Sequence, residues 1–172
     1  MVGKFTVVII RIRNTMGEIL KKRLKMSKFE SPQHEAILGL LVAASHLRSQ
    51  LEKVTAPTGI SPEQYNILRI LKGIYPNGHS CGEIGNRMLD RSPDITRRID
   101  ALLKQGLVER ARSDEDRRVV FTKITKKGLD LLTKIHPIFN LSELTPSKVL
   151  SNKDCEDLAR ICEKLIEEDM CG

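Results

Sequence analysis

From residue 31 onward, apolar residues recur at helical spacing along most of this chain and give way to strand-like runs in one internal stretch. "SPQHEAILGLLVAASHLRSQLEKV" sets Ile37, Leu40, Leu41, Ala44, Leu47, Leu51 and Val54 on one face of a long amphipathic helix. Ser31 suits its N-cap, and Pro32 its first position, where a missing N–H costs nothing. "ISPEQYNILRIL" predicts a second helix with Ser61 as cap, Pro62 at N1 and Gln64 closing a capping box, while Ile60 and Tyr65 fall at staple positions. "PNGHS" reads as a turn.

Two shorter helices follow. "SCGEIGNRML" carries Ser80 and Glu83 as a capping box, and "SPDITRRIDALLKQG" repeats the Ser-Pro start at Ser92 and Pro93, with only "DR" between them. Two helices joined so tightly predict a helix-turn-helix, and Gly106 marks the end of the second. "LVERA" and "RVVFTKIT" then read as strands of a hairpin, which makes the whole a winged helix. "TKKGLDLLTKIHPIFNL" restarts the helical period, with Pro137 ending or kinking it, and a last amphipathic helix follows Ser151. The predicted fold is mainly α with a small β-hairpin: a winged helix-turn-helix with helices before and after it. Residues 60–127 form the winged lobe, and 31–56 with 128–172 form dimerisation helices.

Charge sharpens this outline because it is uneven. The net charge is +7 over 172 residues, but residues 1–30 hold eight Lys/Arg against two acids, 80–127 twelve against eight, and 128–172 five against nine. A basic middle can draw a polyanion to one face. Residues 1–30 stand apart as a basic extension with little helical capping logic. Two readings stand: a cationic arm, or an over-long start with Met16 or Met26 as the natural initiator. The charge-dense "RARSDEDRRVV" has four arginines and three acids at the hairpin tip.

Other function classes find no support. There is no Gly-rich phosphate loop, metal-spaced His/Cys set or nucleophile elbow, so no enzyme, cofactor or metal is predicted. No stretch has the apolar length of a membrane span, and four cysteines at 81, 155, 162 and 171 lack CxxC spacing, which fits a reducing cytoplasm.

The segment "LVERARSDEDRRVVFTKITKKG", with Leu-Val-Glu-Arg, then Asp-Arg-Arg, then a strand ending in Thr-x-x-Gly, resembles the wing signature of the MarR family of transcriptional regulators. "GISPEQYNILRIL" and "SPDITRRIDALLKQG" resemble that family's second helix and recognition helix, and the likeness covers about residues 31–168. It implies a sequence-specific regulator of double-stranded DNA, a homodimeric repressor on a palindromic operator. By that resemblance Arg118 enters the minor groove, Asp116 orients an arginine, and Arg117 pairs with an acid or touches phosphate.

In the recognition helix, Arg97 suits a base edge, Arg98 or Arg91 a phosphate, and Thr96 a thymine methyl or phosphate, with Asp94 on the same face. Ser80 and Ser92, as N-caps, offer backbone N–H groups to phosphate, and capping alone explains them equally well. The dimerisation set is Ile37, Leu40, Leu41, Leu158, Ile161, Cys162 and Leu165. The resemblance also implies release by a small aromatic or lipophilic effector. Cys155 and Cys162, seven apart on one helix face, carry the alternative of a thiol-based redox sensor. A winged-helix protein-interaction module is the other alternative.

Overall fold

The computed structural model describes residues 17–90, 94–112, 120–135 and 150–170. The expected functions of Arg91, Ser92, Asp116, Arg117 and Arg118, and the break at Pro137, lie outside the described residues. The chain forms two compact units, Met1–His46 and Leu47–Gly172.

The first unit corrects the reading of the N-terminal segment. A helix, α1, spans Glu18–Leu24. It has no side-chain cap; instead Gly17 and Lys25 take left-handed backbone at its two ends, with φ of 84° and 55°. No Ser, Thr, Asp or Asn occupies the cap position itself, where Gly17 stands, so the capping was invisible in the sequence. The long helix α2, Pro32–Thr55, starts in this unit as expected. Ser31 Oγ accepts from the His34 backbone N–H at 3.1 Å.

In the second unit, the end of α2 brings Leu51 and Val54 against the core. A 3₁₀ turn, Ala56–Thr58, leads to α3, Pro62–Lys72. The Ser61 and Gln64 capping box is present, and Tyr65, Ile67, Leu68 and Leu71 are buried. Helix α4, Cys81–Arg87, carries the expected Ser80 and Glu83 box. The recognition helix α5, Ile95–Lys104, buries Ile99 and Leu102.

Two expectations fail around α5. Asp94, not Ser92, occupies the N-cap position, without a side-chain cap bond. The first helix also ends earlier than expected: α4 stops at Arg87 because Met88 turns to extended backbone (φ −67°, ψ 142°), so Met88 and Leu89 fall outside it. Met88 buries its side chain in the core, which favours that early exit.

The hairpin is β2, Val108–Arg112, and β3, Val120–Ile124, paired antiparallel with Val108 opposite Ile124 and Arg112 opposite Val120. A third strand was missed. His79–Ser80 forms β1 and pairs with β3 through Thr122 and Phe121, giving the order β1-β3-β2. Two residues cannot show an alternating pattern, so "PNGHS" read only as a turn.

Helix α6, Lys126–Ile135, closes the lobe through its first turn. Gly106, at φ 69°, ends α5 in a Schellman motif, with Gly106 N–H on Leu103 O and Leu107 N–H on Leu102 O. Thr125 Oγ1 then donates to Gly106 O at 2.8 Å and accepts from Gly128 N–H at 3.1 Å. One hydroxyl thus joins the end of α5 to the cap of α6. A Cβ at Gly128 would collide with the Leu107 carbonyl and with Ile124 Cγ1. The Thr-x-x-Gly signature therefore has a physical cause: a cap, then a position where backbone and sheet come too close for a side chain. Helix α7, Asn152–Met170, follows a Ser151 cap that accepts from Asp154 N–H at 3.2 Å.

Replacing Gly128 by Ala is expected to destabilise the chain by about 1–3 kcal/mol, because the obstacle is largely backbone and cannot swing aside. Denaturant midpoints at unchanged slope would show it. A second expectation concerns pH. Glu83 is held below the ordinary carboxyl value, first by the Ser80 backbone N–H and then by the Ser80 hydroxyl. Ser61 hydrogen bonding and nearby arginines likewise hold Glu63 low despite the opposing effect of burial, and Ser151 does so for Asp154. Depressed carboxyls stabilise the fold above their unfolded values, and that contribution is lost as pH falls through the folded ones. Thermal midpoints should fall below about pH 4.5. Glu83→Gln, which keeps the box acceptor but cannot titrate, should fall less steeply.

Candidate nucleic-acid interface

The site is built on the two faces of α5. Its inner face, Ile99 and Leu102 with Ile95 and Leu103 packed beside them, is fixed by the core, so its outer face is presented to solvent by default. Thr96 and Arg97 are exposed there, as the sequence predicted. With Asp94, Asp100, Ala101 and Lys104 they line an open groove of about 480 Å³. The groove runs along a helix whose axis is pinned at its C-terminus by the Gly106, Thr125 and Gly128 junction.

Arg98 behaves differently from Arg97. It is half-buried, and its Nη1 is inaccessible and has no hydrogen-bond partner among the described residues. Asp100 is held by the hairpin: Arg110 Nη2 donates to Asp100 Oδ1 at 2.7 Å. This bridge ties β2 to the recognition helix. Sequence reasoning missed it, although the signal was there in Arg110, the first arginine of the charge-dense stretch.

A second link was also missed. Cys81 Sγ lies 3.5 Å from Thr96 Oγ1, joining the first residue of α4 to α5. Cys81, Thr96, Ile99, Arg110, Val120 and Thr122 enclose a cleft of about 220 Å³ behind the outer face of α5. Ser80 is occupied by its capping bonds, accepting from Glu83 N–H at 3.2 Å while its own N–H donates to Glu83 Oε2 at 2.9 Å.

The residues expected to bury between copies are distributed over α2 and α7. Ile37, Leu41, Leu158, Ile161 and Leu165 are exposed, whereas Leu40 and Cys162 are half-buried. Cys155 is exposed. Among the described residues, no group of three His, Cys, Asp or Glu side chains is placed to hold a metal ion, and no helix is long and apolar enough to cross a membrane.

A core-packed helix with an exposed Thr-Arg face, braced by an antiparallel hairpin, defines a winged helix-turn-helix protein. The MarR family model matches residues 60–120, the same lobe. The chain is 38% identical over 81 residues to the HTH-type transcriptional regulator MhqR of Bacillus subtilis, a match covering 46% of this chain and 53% of that protein. It thus spans about half the length of that relative. A crystal structure of a MarR transcription factor from Planctomyces limnophilus is 31% identical, with a TM-score of 0.58, covering 81% of this chain and 98% of that one. The S. aureus MepR–DNA complex shares the fold at 22% identity and a TM-score of 0.66, covering 75% and 95%. This chain belongs to the MarR family.

Proposed function

We propose that the protein is a transcriptional regulator that reads double-stranded DNA through the outer face of α5 and braces itself on the duplex with its wing. The observation that carries this reading is the exposed Thr96 and Arg97 on a helix whose opposite face is locked in the core. Such a helix fits the major groove, where arginine can bind guanine bidentately and threonine can meet a thymine methyl. MepR, which has the same fold, is known from a DNA complex, and this supports the same mode here. Arg118, with Asp116 orienting the wing arginines, is assigned to the adjacent minor groove.

We infer further that the regulator works as a homodimer and a repressor. An exposed apolar stripe on α7, with Leu158, Ile161 and Leu165 between 43% and 49% exposed, is the kind of surface a second copy covers. Two copies would set two recognition helices into successive major grooves about 34 Å apart, which is why a palindromic operator is expected.

The test is fluorescence anisotropy of the full chain on a labelled duplex from its own upstream region and on a scrambled duplex, across salt concentrations. Preference for the first that persists at physiological salt supports the reading, and equal, salt-erased binding to both overturns it. Within that assay Arg97→Ala should lose about 1–3 kcal/mol and relax discrimination at particular base pairs, while Arg118→Ala should weaken all duplexes alike.

A further inference from the structure

After α4 the chain is held by polar contacts from two other helices. Met88 is buried in the core, but Leu89, the next residue, is 89% exposed, so its side chain gives no apolar anchor. The backbone is held instead: Leu89 N–H donates to Asn66 Oδ1, on α3, at 3.0 Å. At the following position Asp90 Oδ2 accepts from Arg48 Nη2 at 3.1 Å. Arg48 stands near the end of α2, and its other terminal nitrogen, Nη1, lies 3.8 Å from Glu63 Oε1 in the first turn of α3. One guanidinium thus joins two carboxylates from different segments. Glu63 belongs to a helix packed in the core, and Asp90 to the stretch that leads into the recognition helix.

The pair between Arg48 and Asp90 is exposed, with side chains 61% and 55% accessible, and such a pair adds little to global stability. Its effect is local. A planar guanidinium carries a fork of N–H donors that can serve two carboxylates at once. Without it, two like charges would remain around the place it left, and their repulsion would drive Asp90 away from α3. Asp94, at the N-cap position of α5, follows a few positions later in the chain. Where Asp90 is held therefore bears on where the recognition helix begins.

We propose that Arg48 is a positioning residue for DNA recognition: by gripping Asp90 and Glu63 together it fixes, alongside Asn66, the stretch from which α5 starts, without touching DNA itself. This rests on the DNA-reading function proposed above. It gives the end of α2 a part in presenting the recognition helix. Arg97 meets the ligand, and Arg48 holds the approach to the helix that carries it.

The experiment uses the full chain with Arg48→Met, Asp90→Asn and the double variant, in two measurements. Without DNA, hydrogen exchange at the Leu89 amide should quicken in both single variants while thermal midpoints move little. On the upstream duplex each single variant should bind about fivefold more weakly, with the slope of log affinity against log salt unchanged. The double variant should lose little more than either single one, as residues acting through one contact do. Asp90→Asn is the decisive arm, because loss of a negative charge should by itself favour a polyanion. Tighter binding by Asp90→Asn would therefore overturn the proposal. A slope reduced by about one in Arg48→Met would make Arg48 a phosphate contact and overturn it as well. Additive effects of the two substitutions, or unchanged exchange at Leu89, would do the same. If the unmodified chain prefers neither duplex, the DNA reading fails separately, and the exchange result alone decides whether Arg48 holds this stretch.

Discussion

The Thr125 hydroxyl is the constraint on which the lobe depends. It donates to the Gly106 carbonyl, which the end of α5 leaves free, and accepts the Gly128 N–H, an orphan donor in the first turn of α6. Gly128 is buried, so its N–H would be costly to leave unpaired, while the bond to the exposed Gly106 carbonyl ties the end of α5 to the same hydroxyl. Because the same residue follows directly on β3, the recognition helix, the sheet and α6 meet at a single point. Lys127 adds to this joint by donating to Gln105 O at 2.7 Å. A reading helix needs a fixed axis more than it needs extra contacts, and this junction fixes it.

Once the axis is fixed, the chemistry of α5 follows from rotation about it. The buried pair Ile99 and Leu102 determines which residues face outward, so Thr96 and Arg97 are displayed without any contact having to hold them out. The hairpin then limits tilt through Arg110 on Asp100, and α4 does so from another side through Cys81 against Thr96. On the proposed reading, pairing Asp100 with the hairpin also removes a carboxylate that would otherwise compete with DNA for the helix arginines. Asp100 thus holds Arg110 against α5.

Much of this was legible because capping and periodicity are local. Ser61 with Gln64 and Ser80 with Glu83 each declare a helix start within four residues, Ser151 marks a third, and the structure keeps all three. The Thr-x-x-Gly signature was also visible, although the collision that demands glycine at 128 was not, since it involves Leu107, distant in sequence. What stayed hidden depends on distant partners. Strand β1 exists only because β3, some forty residues on, offers it Phe121 and Thr122. The early end of α4 depends on Met88 finding the core, and α1 hides behind left-handed ends that no capping residue announces.

The same reasoning bears on α7. A helix of 19 residues gains little stability from propensity alone, and an amphipathic one depends on burying its apolar side. Leu158, Ile161, Leu165 and Ile166 are all exposed within one chain, so the helix as described has not yet met the surface that would stabilise it. The proposed second copy would satisfy that need by symmetry, because a stripe repeated on an identical helix can meet itself across a two-fold axis. Its acidic flank would not help to hold a polyanion, whereas the basic residues lie earlier in the chain, around α5 and the wing. The proposed division of labour, association through an apolar and acidic helix and recognition through a basic lobe, thus has a physical basis. Each surface carries the charge suited to its own partner and unsuited to the other's.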